Sequence, residues 1–148
     1  MIVVGLFSCD DPGTDIVVGD KAFLELDRAG QPNPTAALTY TQNLDGQPIR
    51  YKVQVNIMGR PQGSATNVTY AVDPASTAIA GTHYNIVGTT GSTSIAAGEN
   101  LGYIEVDILD DTWTPLGSGG TVDLVISITG GDLPLSKYVK ATYRIRVN

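Results

Sequence analysis

Alternation of apolar and polar residues, in short segments parted by turn residues, is the feature that most narrows what this chain can fold into. In RYKVQVNI, Tyr51, Val53, Val55 and Ile57 fall on one side of an extended chain and Lys52, Gln54 and Asn56 on the other. YIEVDI sets Ile104, Val106 and Ile108 against Tyr103, Glu105 and Asp107. VDLVISI places Val122, Leu124, Ile126 and Ile128 together, and VKATYRIRV does the same for Val139, Ala141, Tyr143, Ile145 and Val147. NVTYAV contributes Val68, Tyr70 and Val72. Side chains of a strand alternate between faces, so each segment has one face to bury and one to wet.

Less regular runs predict further strands at Ala22 to Leu26, His83 to Val87 and Ser92 to Ile95. No segment carries a 3.6-residue period that could supply a crossover helix, which excludes a parallel α/β sheet. The expected fold is all-β: a two-sheet antiparallel sandwich of seven to eight strands. Ala29 to Pro48 reads either as a long loop or as a loop carrying a broken edge strand around Ala37 to Thr41.

Composition agrees, with 42% hydrophobic and 16% charged residues and 17 glycines to serve frequent turns. A chain of 148 residues is long enough for one domain with a core that needs no disulfide. Its formal charge of −6, with the basic residues scattered, excludes nucleic acid as a partner, because phosphate binding needs clustered Lys and Arg.

The N-terminus, MIVVGLFSCDDPGTD, puts the single cysteine behind an apolar run and before an acidic pair. Leu6, Phe7, Ser8 and Cys9 resemble a bacterial lipobox, and Asp10 and Asp11 resemble the export signal of surface lipoproteins of the Bacteroidetes type. The resemblance implies cleavage before Cys9, acylation of its thiol, and anchoring by two or more acyl chains. The expected organisation is a signal-peptide remnant over 1–8, a lipidated cysteine and acidic tether over 9–20, and the sandwich over 21–148. The expected location is the bacterial outer membrane or cell surface, with the membrane as partner through the lipid anchor.

Val68 to Asp111 resembles a Calx-beta domain. The matching elements are Val68 and Tyr70, Thr77-Ala78, Gly81, Tyr84, Ile95, Ala97-Gly98-Glu99, the aliphatic strand Ile104 to Ile108, and Asp110-Asp111. Membership would imply a seven-stranded immunoglobulin-like sandwich, and in several members calcium held by loop carboxylates at one end. Ca²⁺ takes six to eight oxygen ligands. Here Asp110 and Asp111 are the calcium candidates, but His83 stands where the family often has Asp, and Thr112 to Leu116 and the C-terminal residues bring no further carboxylate. The expectation is therefore no obligatory cofactor, with a degenerate calcium site as the alternative.

Catalysis has little to work with. His83 is the only histidine, in a Gly-Thr-His-Tyr corner where it is expected to cap a turn or pack on Tyr84. One His and one tethered Cys cannot build a structural zinc site. Glu105 and Asp107 could serve a carboxylate-dependent glycan hydrolase, the distant alternative, yet nothing in the sequence puts a pocket over them, and Lys140, Arg144 or Arg146 are expected to pair with them. The binding candidate is the turn-rich loop Asp110 to Gly120: Trp113, flanked by Asp110, Asp111, Thr112 and Thr114, could stack on a sugar or anchor a protein. The expected function is a non-enzymatic envelope lipoprotein for adhesion, glycan binding or scaffolding, with a glycan or an envelope protein as partner.

Overall fold

The computed structural model describes residues 21–27, 38–42, 47–109 and 120–147. Among the described residues nine strands run in chain order: β1 (Phe23–Leu26), β2 (Leu38–Gln42), β3 (Ile49–Met58), β4 (Thr66–Val72), β5 (Tyr84–Val87), β6 (Ser92–Ile95), β7 (Leu101–Ile108), β8 (Thr121–Gly131) and β9 (Lys140–Val147). They form two sheets, β1-β3-β7-β5 and β2-β9-β8-β4-β6, the two-layer sandwich expected from the alternation and of the immunoglobulin-like kind that the Calx-beta resemblance implies.

Two details differ from expectation. The strand count is nine, because the ambiguous stretch contains β2 at the edge of the second sheet. β2 also runs parallel to β9, pairing Leu38 with Tyr143 and Tyr40 with Ile145, so the sandwich is not wholly antiparallel. Tyr40 shows what holds β2 there. Its ring stacks on Tyr51 of the opposite sheet at 3.8 Å between centroids and on Tyr143 at 5.5 Å. Burial, with the neighbouring Tyr51, pushes the Tyr40 hydroxyl far above the usual tyrosine range.

The inward halves of the strands meet as the alternation requires. Leu24 and Leu26, Val53, Val55 and Ile57, and Ile104, Val106 and Ile108 of one sheet are buried against the other sheet. Facing them are Val68 and Tyr70, Ile95, Val122, Leu124, Ile126 and Ile128, and Ala141, Tyr143 and Ile145. Each fully buried aliphatic side chain contributes about 1.5–3 kcal/mol of transfer free energy.

Irregular segments continue the hydrogen bonding beyond the strands. Beside β1 runs the stretch after β8: the Leu24 N–H donates to the Pro134 carbonyl, and the Ser136 N–H to that of Leu24, both at 2.9 Å. Beyond Val72, the chain continues along β8 with side-chain hydroxyls standing in for backbone. The Val125 N–H donates to Ser76 Oγ at 2.9 Å, and the Asp123 N–H to Thr77 Oγ1 at 2.8 Å. At β5 and β6 the chain turns a corner instead. It leaves the first sheet after Val87, enters the second as β6, and returns to the first as β7.

Candidate binding groove

That corner borders a concavity. β7 spans eight residues, but β5 pairs only with its second half, Val87 opposite Glu105 through Tyr84 opposite Ile108. The Ile57 N–H donates to the Asn100 carbonyl at 2.8 Å and the Leu109 N–H to the His83 carbonyl at 3.0 Å. In an antiparallel ladder such bonds alternate in direction, so even-numbered residues of β7 bond toward β3 and odd-numbered ones toward the β5 side. Leu101 and Tyr103 thus turn their N–H and C=O groups to an edge that β5 does not reach. β6 crosses there, and Thr93 Oγ1 donates to the Tyr103 carbonyl at 2.8 Å.

Gly102 lets β6 come this close. A Cβ on Gly102 would lie 2.6 Å from Ile95 Cγ1 and 3.2 Å from the Ser94 carbonyl oxygen. Gly98, with φ at +79°, makes the preceding turn, closed by the Glu99 N–H on the Ala96 carbonyl at 3.1 Å. A glycine within a strand marks close backbone approach, and this one sets how near β6 stands to β7.

The space between them is an open groove of about 630 Å³. Its walls are Asn67 and Tyr70 of β4, Val87 to Thr89, Ser92, Thr93, Ser94 and Ala96, and Leu101 to Glu105. Tyr103 is 39% exposed and Leu101 46%. Lys52 Nζ sits 5.3 Å from the centroid of the Tyr103 ring, within cation–π range, and also 3.5 Å from Glu105 Oε1. The Tyr70 hydroxyl donates to the Thr89 carbonyl at 3.3 Å, and burial pushes its pKa up.

Glu105 and Asp107 are paired differently from the sequence expectation. Their cations come from β3 in the same sheet, not from Lys140, Arg144 or Arg146. Arg50 forks onto Asp107 at 2.9 and 3.1 Å and reaches Glu105 at 3.4 Å. The register explains this, since it places Arg50 opposite Asp107 and Lys52 opposite Glu105. Lys140 and Arg144 belong to the other sheet, where they bind Asp73 and Asp123 at 2.8 Å. The Arg50 hydrogen bond holds the Asp107 carboxyl below the usual carboxylate range. A glycosidase acid needs the reverse shift, a carboxyl kept protonated near neutrality, so Asp107 is unsuited to that role. The expectation of no pocket near this pair is also corrected, because Glu105 lines the groove.

His83 is 6% exposed, and its Nδ1 accepts the Ile79 N–H at 2.8 Å, the turn-capping role expected for it. Desolvation depresses its pKa. Cys9, Asp110, Asp111, Thr112, Trp113 and Thr114 lie outside the described residues. Among the described residues, no three His, Cys, Asp or Glu side chains converge as a metal site would require.

Sequence reasoning left out Tyr103, Thr93 and the groove itself. The available signal was Gly102, one residue before the segment read as a clean strand: an isolated glycine beside an alternating run points to another backbone passing close by.

No family model and no curated protein matches the chain. Solved structures do match its fold. The apo form of the Calx CBD1 domain superposes with a TM-score of 0.59 at 18% identity, over 87% of this chain and 99% of that one. CBD12 from CALX1.2 gives 0.58 at 20%, over 85% of this chain and 44% of that one. A candidate carbohydrate-binding protein from Bacteroides ovatus gives 0.54 at 13%, over 84% of this chain but only 36% of its own length. The fold is therefore Calx-beta-like, as the motifs from Val68 to Asp111 implied.

Proposed function

We propose that this chain is a non-catalytic carbohydrate-binding module of a bacterial cell envelope, anchored through acylated Cys9 and taking glycan in the groove beside β7. The observation that carries the reading is the exposed Tyr103 ring beside a wall of hydroxyl and amide side chains. A sugar presents apolar C–H groups on its ring faces and hydroxyls around its rim. An aromatic ring meets the first, while Ser, Thr and Asn, which both donate and accept, meet the second. The groove volume of about 630 Å³ falls in the range of small-molecule sites. Display of such a fold in a carbohydrate-binding role is in keeping with the Bacteroides ovatus neighbour, and the lipobox-like Leu6 to Cys9 supplies the anchor.

The test is Tyr103→Ala on the full chain, assayed by glycan array and calorimetry. A tyrosine at the centre of an interface contributes on the order of 2 kcal/mol, so glycan affinity should fall about 30-fold. Stability should move by less than roughly 0.5 kcal/mol, because the ring is on the surface. Glycan binding that survives the substitution unchanged would remove the groove from the function.

A further inference from the structure

The groove also has a charge pattern that restricts what it can hold. Glu105 is the only formally charged side chain among its lining residues, and no Lys, Arg or His contributes to the wall. The nearest cations approach Glu105 from β3. Arg50 is 3.4 Å from Oε2 and is already forked onto Asp107, while Lys52 is 3.5 Å from Oε1 and over the Tyr103 ring. Both contacts are longer than a strong charge-assisted bond of about 2.7–2.9 Å. A carboxylate offers roughly four acceptor positions, so each oxygen of Glu105 retains capacity toward the groove.

An ionised carboxylate accepts hydrogen bonds and donates none. It is therefore satisfied by hydroxyl donors and repelled by sulfate, phosphate or uronate oxygens, which are acceptors of the same charge. The remaining wall, Thr93, Ser94, Asn67 and the edge N–H of Tyr103, is neutral, and the two cations behind it, Arg50 and Lys52, are already matched by the two carboxylates Asp107 and Glu105, so no positive charge is left over for a second anion. The chain's formal charge of −6 works in the same direction. We infer that the groove selects an uncharged, hydroxyl-rich glycan, with Glu105 accepting hydrogen bonds from two neighbouring sugar hydroxyls while a sugar face lies on Tyr103.

This selection rests on the carbohydrate reading given above, and the experiment separates the two. The full chain, Tyr103→Ala and Glu105→Gln are applied to an array that pairs neutral glycans with sulfated and uronate-bearing counterparts, at 50 and 500 mM NaCl. The expected result is Tyr103-dependent binding to neutral glycans only. Screening acts on charge pairs and not on hydroxyl contacts, so affinity should change by less than about twofold with salt. Glu105→Gln keeps the shape but replaces one acceptor oxygen with a donor, and should weaken binding about tenfold. Tyr103-dependent capture of the sulfated or uronate glycans, weakening steeply with salt, overturns the inference and leaves the carbohydrate reading standing. So does neutral-glycan binding that is indifferent to Glu105→Gln. Absence of Tyr103-dependent binding to any glycan overturns both.

Discussion

Adding one methyl group at Gly102 tests whether the β6–β7 approach builds the groove. An alanine Cβ would sit 2.6 Å from Ile95 Cγ1, against an ordinary carbon–carbon separation of about 3.5–4.0 Å, so β6 must retreat by roughly 1 Å. Ile95 is fully buried and β-branched, and its Cγ1 cannot swing aside without leaving its rotamer. The Ser94 carbonyl oxygen, at 3.2 Å, adds a backbone obstacle on the same side. Overpacking of this kind costs about 1–3 kcal/mol. The φ of Gly102 is not in the left-handed region, so the loss of unfolded-state entropy on replacing glycine returns about 0.4–1 kcal/mol. The net expectation is a loss of roughly 1–2 kcal/mol, read as a lower urea midpoint with unchanged slope. The retreat of β6 should also break the Thr93 bond to the Tyr103 carbonyl and weaken glycan binding. In an Ile95→Ala background the 2.6 Å clash is gone and only the milder 3.2 Å contact with the Ser94 carbonyl remains, so adding Gly102→Ala should then cost much less. The double-mutant cycle isolates that coupling. If Gly102→Ala proves neutral in the wild-type background, the close approach does not hold the corner and the reasoning fails.

Three further outcomes can be checked. His83 has a depressed folded pKa, so its contribution is fully present above the unfolded value of about 6.5 and is lost as pH falls below it, at no more than about 1.4 kcal/mol per pH unit. Chemical denaturation at pH 7 and pH 5 should show that loss, and His83→Asn, which keeps an acceptor for the Ile79 N–H, should flatten it; a flat wild-type profile would count against the buried neutral imidazole. Ser76→Ala strips the Val125 N–H of its acceptor and the Val125 carbonyl of a donor, and should lower stability by about 1–3 kcal/mol, whereas Ser76→Thr, retaining the hydroxyl, should restore most of it. Cys9→Ser should release the protein from the membrane fraction of its host without shifting the melting temperature of the purified chain, and retention in the membrane pellet would refute the lipid anchor.

Eight of the nine strands were legible because their information is local: a period-two pattern is written in the side chains of the strand itself. β2 was ambiguous because its placement depends on partners elsewhere, Tyr51 across the sandwich and β9 alongside, and LTYTQ alone does not name them. The ion pairs of Glu105 and Asp107 show the same limit more sharply. Their outward orientation follows from alternation, but which cations stand beside them depends on which strand is the neighbour. Arg50 and Lys52 on β3 met that requirement, while Arg144, equally basic and equally alternating, ended in the other sheet on Asp123. The groove lies further still from local pattern, because it arises from a difference in length: β5 stops at Val87 while β7 begins four residues before its partner Glu105. No single segment encodes that mismatch. Gly102 records its consequence, since the Ile95 side chain 2.6 Å and the Ser94 carbonyl 3.2 Å from where a Cβ would stand leave no room for one there. A glycine at the head of a clean alternation thus marks the place where two strands meet closely, and in this fold that meeting leaves Tyr103 and Glu105 facing an open groove.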